Sequence, residues 1–501
     1  MKRLFPILLA VTAGIASAVN YNPIIQTKFT ADPAPFVMGD TLYLFTSHDN
    51  GVRDGFDMTD WQLFTTTDMV NWTDHGAVAS LKSFGTWAST ADNGAWAVQA
   101  IERNGWWYMY CPVQLRGVGV LKSKSPYGPW SDPIKKALFN YDIRDIDPTV
   151  FIDDDGQAYI YWGNNGIWYA KLNKNMTALS SSKKEIKRTT EAFGGYKDEN
   201  DKLVGKDCYE EGPWVYKREG HYYLVYAAGG VPEHLSYAMS DSPTGPWTYK
   251  GKIMDVPEGS FTIHPGVVDF KGHSYLFYHN GKLPNGGGYK RSVCVEEFKY
   301  KDDGTIPLVK MTSTAVRTPV ANLNALERQE AETIAMASGV TTKKTTGRGV
   351  YVDGIDANDY IWVRSIDFGS EGVDKVSVCV KSADNPGNIE VYIDNAVVAK
   401  IAVDGVADWT LLTEPLTKTV SGIHNVRFRF TATGSTTASR KNLFLFDYWQ
   451  FGQDGTSSLH HPLSTLHYPP STIHDLQGRQ VRQSGNLKRG IYIIEGRKIV
   501  R

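Results

Sequence analysis

Hydrophobic and polar positions alternate along this chain in short runs, with almost no helical period. Residues 41–46, 106–112, 158–162, 222–227 and 274–278 are such runs, rich in aromatics and separated by Gly, Asp, Asn and Pro clusters. This is an all-β pattern of short strands and tight turns over residues 19–320. In each run a Tyr follows a turn residue by three positions: Asp40 to Tyr43, Gly105 to Tyr108, Gly156 to Tyr159, Gly220 to Tyr223 and Gly272 to Tyr275. The tyrosines are 65, 51, 64 and 52 residues apart. Periods of this size in strand-rich sequence predict an array of blade-like sheets.

A second repeat agrees. Ser125-Pro126-Tyr127-Gly128-Pro129-Trp130 recurs as Ser242-Pro243-Thr244-Gly245-Pro246-Trp247. Pro and Gly set a turn between outer strands, and each Trp offers a ring for packing between sheets. Residues 326–452 also read as strands, in a length that suits a β-sandwich. Residues 453–470 are polar and Pro-containing and read as a linker. Residues 471–501 form a compact β pattern, too short for an independent enzyme domain. The N-terminus has a basic start, an apolar run and Ala16-Ser17-Ala18, so residues 1–18 are expected to be a secretory signal peptide. No membrane span is expected, because the apolar run is too short.

Charge narrows the partners. With 53 Lys plus Arg against 54 Asp plus Glu, nothing favours nucleic acid. The 14 Trp, 27 Tyr and 20 Phe suit a carbohydrate partner, and suit strands equally well. Cys111, Cys208, Cys294 and Cys379 form no CxxC pair and no disulfide framework, so buried free thiols are expected as readily as disulfides.

Candidate chemistry emerges from register. Counting back 11 or 12 residues from each repeat Tyr gives Asp32, Trp96, Asp147, Glu211 and His264. If the repeats close in a ring, these side chains converge on its axis. A Pro follows Asp32, Asp147, Glu211 and His264 within two residues, which predicts extended geometry before it at a strand start. Each acid alone reads as a turn residue; their common register points to shared charge or chemistry. Two carboxyl groups across a cleft can hydrolyse a glycosidic bond, one protonated and one ionised. Glu is the better acid, and a third carboxylate raises its pKa.

These residues resemble glycoside hydrolase family 43. Ala31-Asp32-Pro33, the run from Ile146-Asp147-Pro148 to Asp155-Gly156, and Glu211-Gly212-Pro213 carry the resemblance. It implies a five-bladed β-propeller and an inverting reaction, with Asp32 as general base, Glu211 as general acid and Asp147 as pKa modulator. No organic cofactor is implied. The stretches 277–281, 286–288 and 291–293 look like the arabinoxylan arabinofuranohydrolases of that family, which puts Asn280 and Arg291 near substrate hydroxyls. His264 resembles an axial histidine that helps hold a cation or water cluster, and Trp96 is a candidate pocket wall.

The second region resembles carbohydrate-binding module family 6, on residues 329–332, 351–355 and 442–449. That resemblance implies neighbouring terminal strands, a structural Ca²⁺ on Glu330, Glu332 and Asp447, and a sugar cleft at Tyr351, Trp409 and Asn442. Leu412 stands where the family usually has a second aromatic. The tail, on Asp475-Leu476-Gln477-Gly478-Arg479 and residues 487–492, resembles the sorting domains read by the type IX secretion system. The expected protein is therefore secreted or held on the outer surface. It acts on a plant cell-wall polysaccharide (arabinoxylan, arabinan or xylan) and removes α-L-arabinofuranosyl residues. The alternatives are a β-D-xylosidase and a non-catalytic polysaccharide-binding protein.

Overall fold

The computed structural model describes residues 20–452 and, as backbone, four short tail strands: Ile473–Asp475, Gln480–Val481, Ile491–Ile494 and Arg497–Val500. The tail strands form one antiparallel sheet. The leader 1–18, the linker 453–470 and the sorting motif's side chains lie outside the described residues.

Five principal antiparallel sheets follow one another at 30–80, 99–123, 149–185, 209–254 and 266–298. Among the described residues helix is confined to single turns such as Thr86–Ser89 and Thr190–Phe193. Within each sheet the strands lie in chain order, because tight turns join neighbours. The first strand of each sheet touches the first strand of the next, and that of the fifth sheet touches that of the first. The N-terminal segment fastens this cycle along the fifth sheet's last strand: Ile24 N donates to Val293 O at 2.8 Å, and Thr30 N to Arg291 O at 2.9 Å. Asn22 Nδ2 adds a bond to Glu296 Oε1 at 2.9 Å.

The cores between sheets are aromatic. Trp130 meets Phe45 of the first sheet edge-on at 6.3 Å, so the repeated Pro-Trp turn packs across a sheet boundary. All four cysteines are buried and free.

Residues 323–452 build two six-stranded sheets over one apolar core that includes Ile361, Val378, Phe428, Phe446 and Trp449. Gln329–Glu330 pairs antiparallel with Tyr448 and Trp449, so the two ends of the region are neighbours. The region is tied to the first sheet. Thr333–Ile334 pairs antiparallel with Thr73 and Trp72 and extends that sheet. Beside it, Asn71 Nδ2 donates to Arg364 O and Arg364 N donates to Asn71 Oδ1, both at 2.8 Å. Among the described residues no helix is long and apolar enough to cross a membrane.

Candidate active site

Asp32 lies at a β-bulge in Thr30–Met38, and Asp147 just before Thr149–Ile152. Their φ angles are +53° and +54°, in the left-handed region. The extended geometry expected of residues before Pro is not what forms. Strain of this kind costs about 1–3 kcal/mol and persists only where surroundings over-determine it. Here the surroundings are hydrogen bonds to the two acids.

Asp32 is buried. Ser47 Oγ donates to its Oδ2 at 2.7 Å, and Arg291 Nη1 donates to its Oδ1 at 3.2 Å. The Asp32 N–H donates to His279 Nδ1 at 3.2 Å, so the His279 proton sits on Nε2 and donates to Thr262 O at 3.0 Å. Burial pushes His279 down to about 3 and His264 to about 4, so both rings are neutral near pH 7. Burial is the largest single influence and alone would raise Asp32, but the Arg291 guanidinium, the two neighbouring imidazoles and the Ser47 hydroxyl together outweigh it and leave the carboxyl at about 2. Asp32 is therefore an ionised carboxylate at any working pH.

Glu211 sits in Tyr209–Arg218, at a second irregularity in pairing. Burial carries its carboxyl up to about 7, helped by repulsion from Asp32 and opposed by a donor from Asn164 Nδ2. The Asn164 loop is held against this strand: Asn165 N donates to Glu210 O at 2.7 Å, and Tyr209 OH donates to Gly163 O at 2.6 Å. Gly212 follows with φ +59°, and a Cβ there would stand 3.0 Å from His264 Nδ1. Only glycine lets the imidazole close on this turn. The Gly212 N–H donates to Asp147 Oδ2 at 3.0 Å. Asp147 is itself raised well above the usual range by burial, then by repulsion from Glu211 and Asp32. Glu210 faces away, bound to Lys197 Nζ at 2.9 Å and by Cys208 Sγ at 3.0 Å, as strand alternation demands.

The arrangement separates two protonation states within one site: an ionised Asp32 and a Glu211 that holds its proton to about pH 7. That is the division of labour that acid–base cleavage of an acetal requires.

Other expected site residues fall out differently. Arg291 bonds Asp49 through Nε and Nη2, each at 2.9 Å, besides Asp32 and Thr262 through Nη1. Four of its five side-chain N–H groups are thus met by protein acceptors, so its first role is to hold the two carboxylates. Asn280 is displaced. Alternation along His273–Asn280 turns His279 toward Asp32 and sends Asn280 to a cavity between the two regions, where its Oδ1 accepts from Lys282 N at 3.1 Å. Trp96 is half-buried against the core, and its carbonyl accepts from Trp61 Nε1 at 2.8 Å.

In the second region Tyr351 is buried and meets Trp409 edge-on at 5.2 Å, while the Arg348 guanidinium covers the Trp409 ring at 4.3 Å. That face of the expected sugar platform is occupied by an arginine. Asn442 Nδ2 donates to Asp384 Oδ2 at 2.6 Å instead of joining those rings. Glu330 is bound by Arg328 at 2.7 Å, and Asp447 Oδ2 by Arg348. Glu332 Oε2 and Asp447 Oδ1 are buried without a hydrogen-bond partner. Among the described residues no group of three or more His, Cys, Asp or Glu side chains is arranged to hold a metal ion.

Sequence register missed Ser47, Asp49, Asn164 and His279. It also missed Glu233, a buried carboxyl that accepts from Ile263 N at 3.0 Å and is raised by burial and by Glu211. Ser47 and His279 each stand four residues after their repeat Tyr, a register that the count back to the acids does not use, whereas Asp49, Asn164 and Glu233 share no position relative to the tyrosines. His279, one residue before Asn280, lay inside a stretch already singled out.

Comparison with known proteins agrees with this chemistry. A model described as glycosyl hydrolases family 43 matches residues 21–306, and one described as carbohydrate binding module (family 6) matches 330–453. An arabinoxylan arabinofuranohydrolase of Bacillus subtilis (strain 168) is 31% identical over 492 residues, covering 87% of this chain and 93% of its own. One from Paenibacillus polymyxa is 31% identical over 490 residues, covering 86% and 74%. Xylosidase/arabinosidase 43A of Humicola insolens is 32% identical over 333 residues, covering 57% and 98%. A solved family 43 arabinoxylan arabinofuranohydrolase from Bacillus subtilis, in complex with cellotetraose, is similar at TM-score 0.72 and 28% identity, covering 87% of this chain and 98% of that one.

Proposed function

The chain belongs to glycosyl hydrolases family 43, and from that premise we propose that it removes α-L-arabinofuranosyl branches from arabinoxylan or arabinan in one inverting step. It is a glycoside hydrolase; substrate and stereochemistry are the proposal. Asp32 takes a proton from water as the water oxygen bonds to the anomeric carbon. The bond from that carbon to the glycosidic oxygen breaks, and Glu211 delivers its proton to the departing oxygen. Asp147 acts through Glu211: its carboxyl is fixed on the Gly212 N–H, beside the acid, and each carboxylate opposes a charge on the other. The observation that carries this reading is the split between Asp32 at about 2 and Glu211 at about 7.

The relatives named as arabinoxylan arabinofuranohydrolases favour arabinofuranose, and Humicola insolens xylosidase/arabinosidase 43A favours β-D-xylosidase as the second activity. Release of nitrophenol from the two nitrophenyl glycosides separates them. NMR of the first sugar anomer freed from arabinoxylan tests inversion. Full activity in both Asp32→Ala and Glu211→Gln would sink the assignment of roles.

The same reading takes the five sheets as blades of a closed propeller and the paired sheets as a β-sandwich; the cyclic contacts between first strands support it. It gives Glu332 and Asp447, with Glu330, a structural Ca²⁺. Two orphaned buried carboxylate oxygens are donors that a hard cation fits. Bound there, the ion would neutralise charge between the region's two ends, far from the hydrolytic acids in sequence. Export through the leader 1–18 and handling of the tail 471–501 by type IX machinery complete the reading. N-terminal sequencing of protein recovered from the medium tests the first, and deletion of the tail in the native host tests the second.

A further inference from the structure

Three loops beside Asp32 bring three aromatic rings together. Phe56 and Tyr289 meet edge-on at 4.8 Å, Phe261 and Tyr289 at 5.1 Å, and Phe56 and Phe261 lie 6.1 Å apart. Phe56 is more than 200 residues from Phe261 and Tyr289 in sequence, so the cluster is a product of how distant sheets meet rather than of local packing. It is joined to the site: the Arg291 guanidinium lies 4.9 Å over the Phe56 ring while its Nη1 binds Asp32.

The cluster is held rigidly and left open. Asn93 Nδ2 donates to Phe56 O and Asn93 Oδ1 accepts from Met58 N, both at 2.8 Å, fixing the first loop to the segment that leads into the second sheet. Glu233 N donates to Phe261 O at 3.0 Å, fixing the second. In the third, a Cβ on Gly288 would lie 2.2 Å from the Phe261 ring, so glycine alone allows the loop to close on it. Yet Tyr289 is 44% exposed, and Phe56 and Phe261 are only half-buried. A side-chain cluster serving only as a loop core would not leave its largest ring in water.

We infer that Phe56, Phe261 and Tyr289 form a platform for a pyranose ring of the polysaccharide main chain, next to the pocket that takes the sugar being cleaved. A pyranose presents an apolar C–H face that an exposed aromatic covers, and a preorganised platform loses little entropy on binding. The continuity through Arg291 places it at the mouth of the Asp32 site. The inference rests on the hydrolase acting on a polymer, as proposed above.

The test compares wild type, Tyr289→Ala and Tyr289→Phe on arabinoxylan and on nitrophenyl α-L-arabinofuranoside. The small glycoside carries no main chain. For Tyr289→Ala KM on arabinoxylan should rise about tenfold with kcat little changed, a loss in keeping with removal of one aromatic contact. Turnover of the small glycoside should stay within about twofold, and Tyr289→Phe should behave as wild type. Equal losses on both substrates, or no loss on the polymer, would overturn the platform. If wild type cleaves neither substrate, the arabinofuranosidase reading fails on its own. Xylohexaose binding by calorimetry then decides the platform: unchanged affinity in Tyr289→Ala counts against it, and weakened affinity supports it.

Discussion

Arg291 reaches Asp32 Oδ1 with Nη1 at 3.2 Å while Nε and Nη2 clamp both oxygens of Asp49. One buried cation thus serves two buried carboxylates. Arg291→Met removes that charge and leaves both acids uncompensated, which costs about 3–5 kcal/mol of stability. It also lets burial raise the Asp32 carboxyl, so the acid limb of the kcat/KM profile should move to higher pH. Thermal unfolding and a pH–rate profile check both effects, and Arg291→Lys should restore charge without the two-pronged clamp.

The pH dependence has a definite sign. Turnover needs Asp32 ionised and Glu211 protonated, so kcat/KM should fall as pH rises through about 7. The stabilities run in opposite directions. Asp32 is lowered from 3.8 to about 2, so its contribution is present above pH 3.8 and is lost as pH falls through 2. Glu211 is raised from 4.5 to about 7, so its contribution favours the fold below pH 4.5 and is lost as pH rises through 7. A stability curve with no slope attributable to Glu211 in wild type versus Glu211→Gln would contradict this.

Asn164 donates to Glu211 Oε2 and so favours the ionised acid. Asn164→Ala should move the alkaline limb of the rate profile to higher pH and lower kcat roughly 10- to 100-fold by loosening the acid's orientation. An unshifted alkaline limb would show that the amide does not touch the acid during turnover.

The reciprocal Asn71–Arg364 main-chain bonds tie the second region to the first sheet. Asn71→Ala should cost about 1–3 kcal/mol, because it leaves buried peptide groups unmatched. Calorimetry should then resolve separate transitions for the two regions, with activity on a small glycoside retained at low temperature.

For Glu332 and Asp447, adding CaCl2 to chelator-treated protein should raise the Tm of the second region, and Glu332→Gln should remove that response. An equal rise in the variant would assign the effect to some other place.

The repeat of Tyr43, Tyr108, Tyr159, Tyr223 and Tyr275 made the five sheets legible, because strand alternation and turn chemistry are local and leave a period in the sequence. The three acids were legible because they keep register with those tyrosines. Their neighbours were not. Asp49 and Asn164 reach the acids from loops whose approach depends on how the sheets meet, while Ser47 and His279 share the fourth place after their repeat Tyr, a register separate from that of the acids. Asn280 misled for the same reason: the stretch around it was informative, but which of two adjacent residues faces the acids is decided by strand phase. The left-handed φ of Asp32 and Asp147 ran against the ordinary effect of a following Pro, as happens where a site over-determines its backbone. In the second region the aromatic positions were readable, whereas the arginine lying over Trp409 was not.

Thr333–Ile334 caps the open ladder at Thr73 and Trp72. A shortened gene that stops after the fifth sheet would therefore yield a protein with a bare strand edge, ready to zip onto another molecule. Anyone exchanging the accessory half for a different module must carry this two-residue strap across the joint, or expect aggregates whose catalytic chemistry is intact.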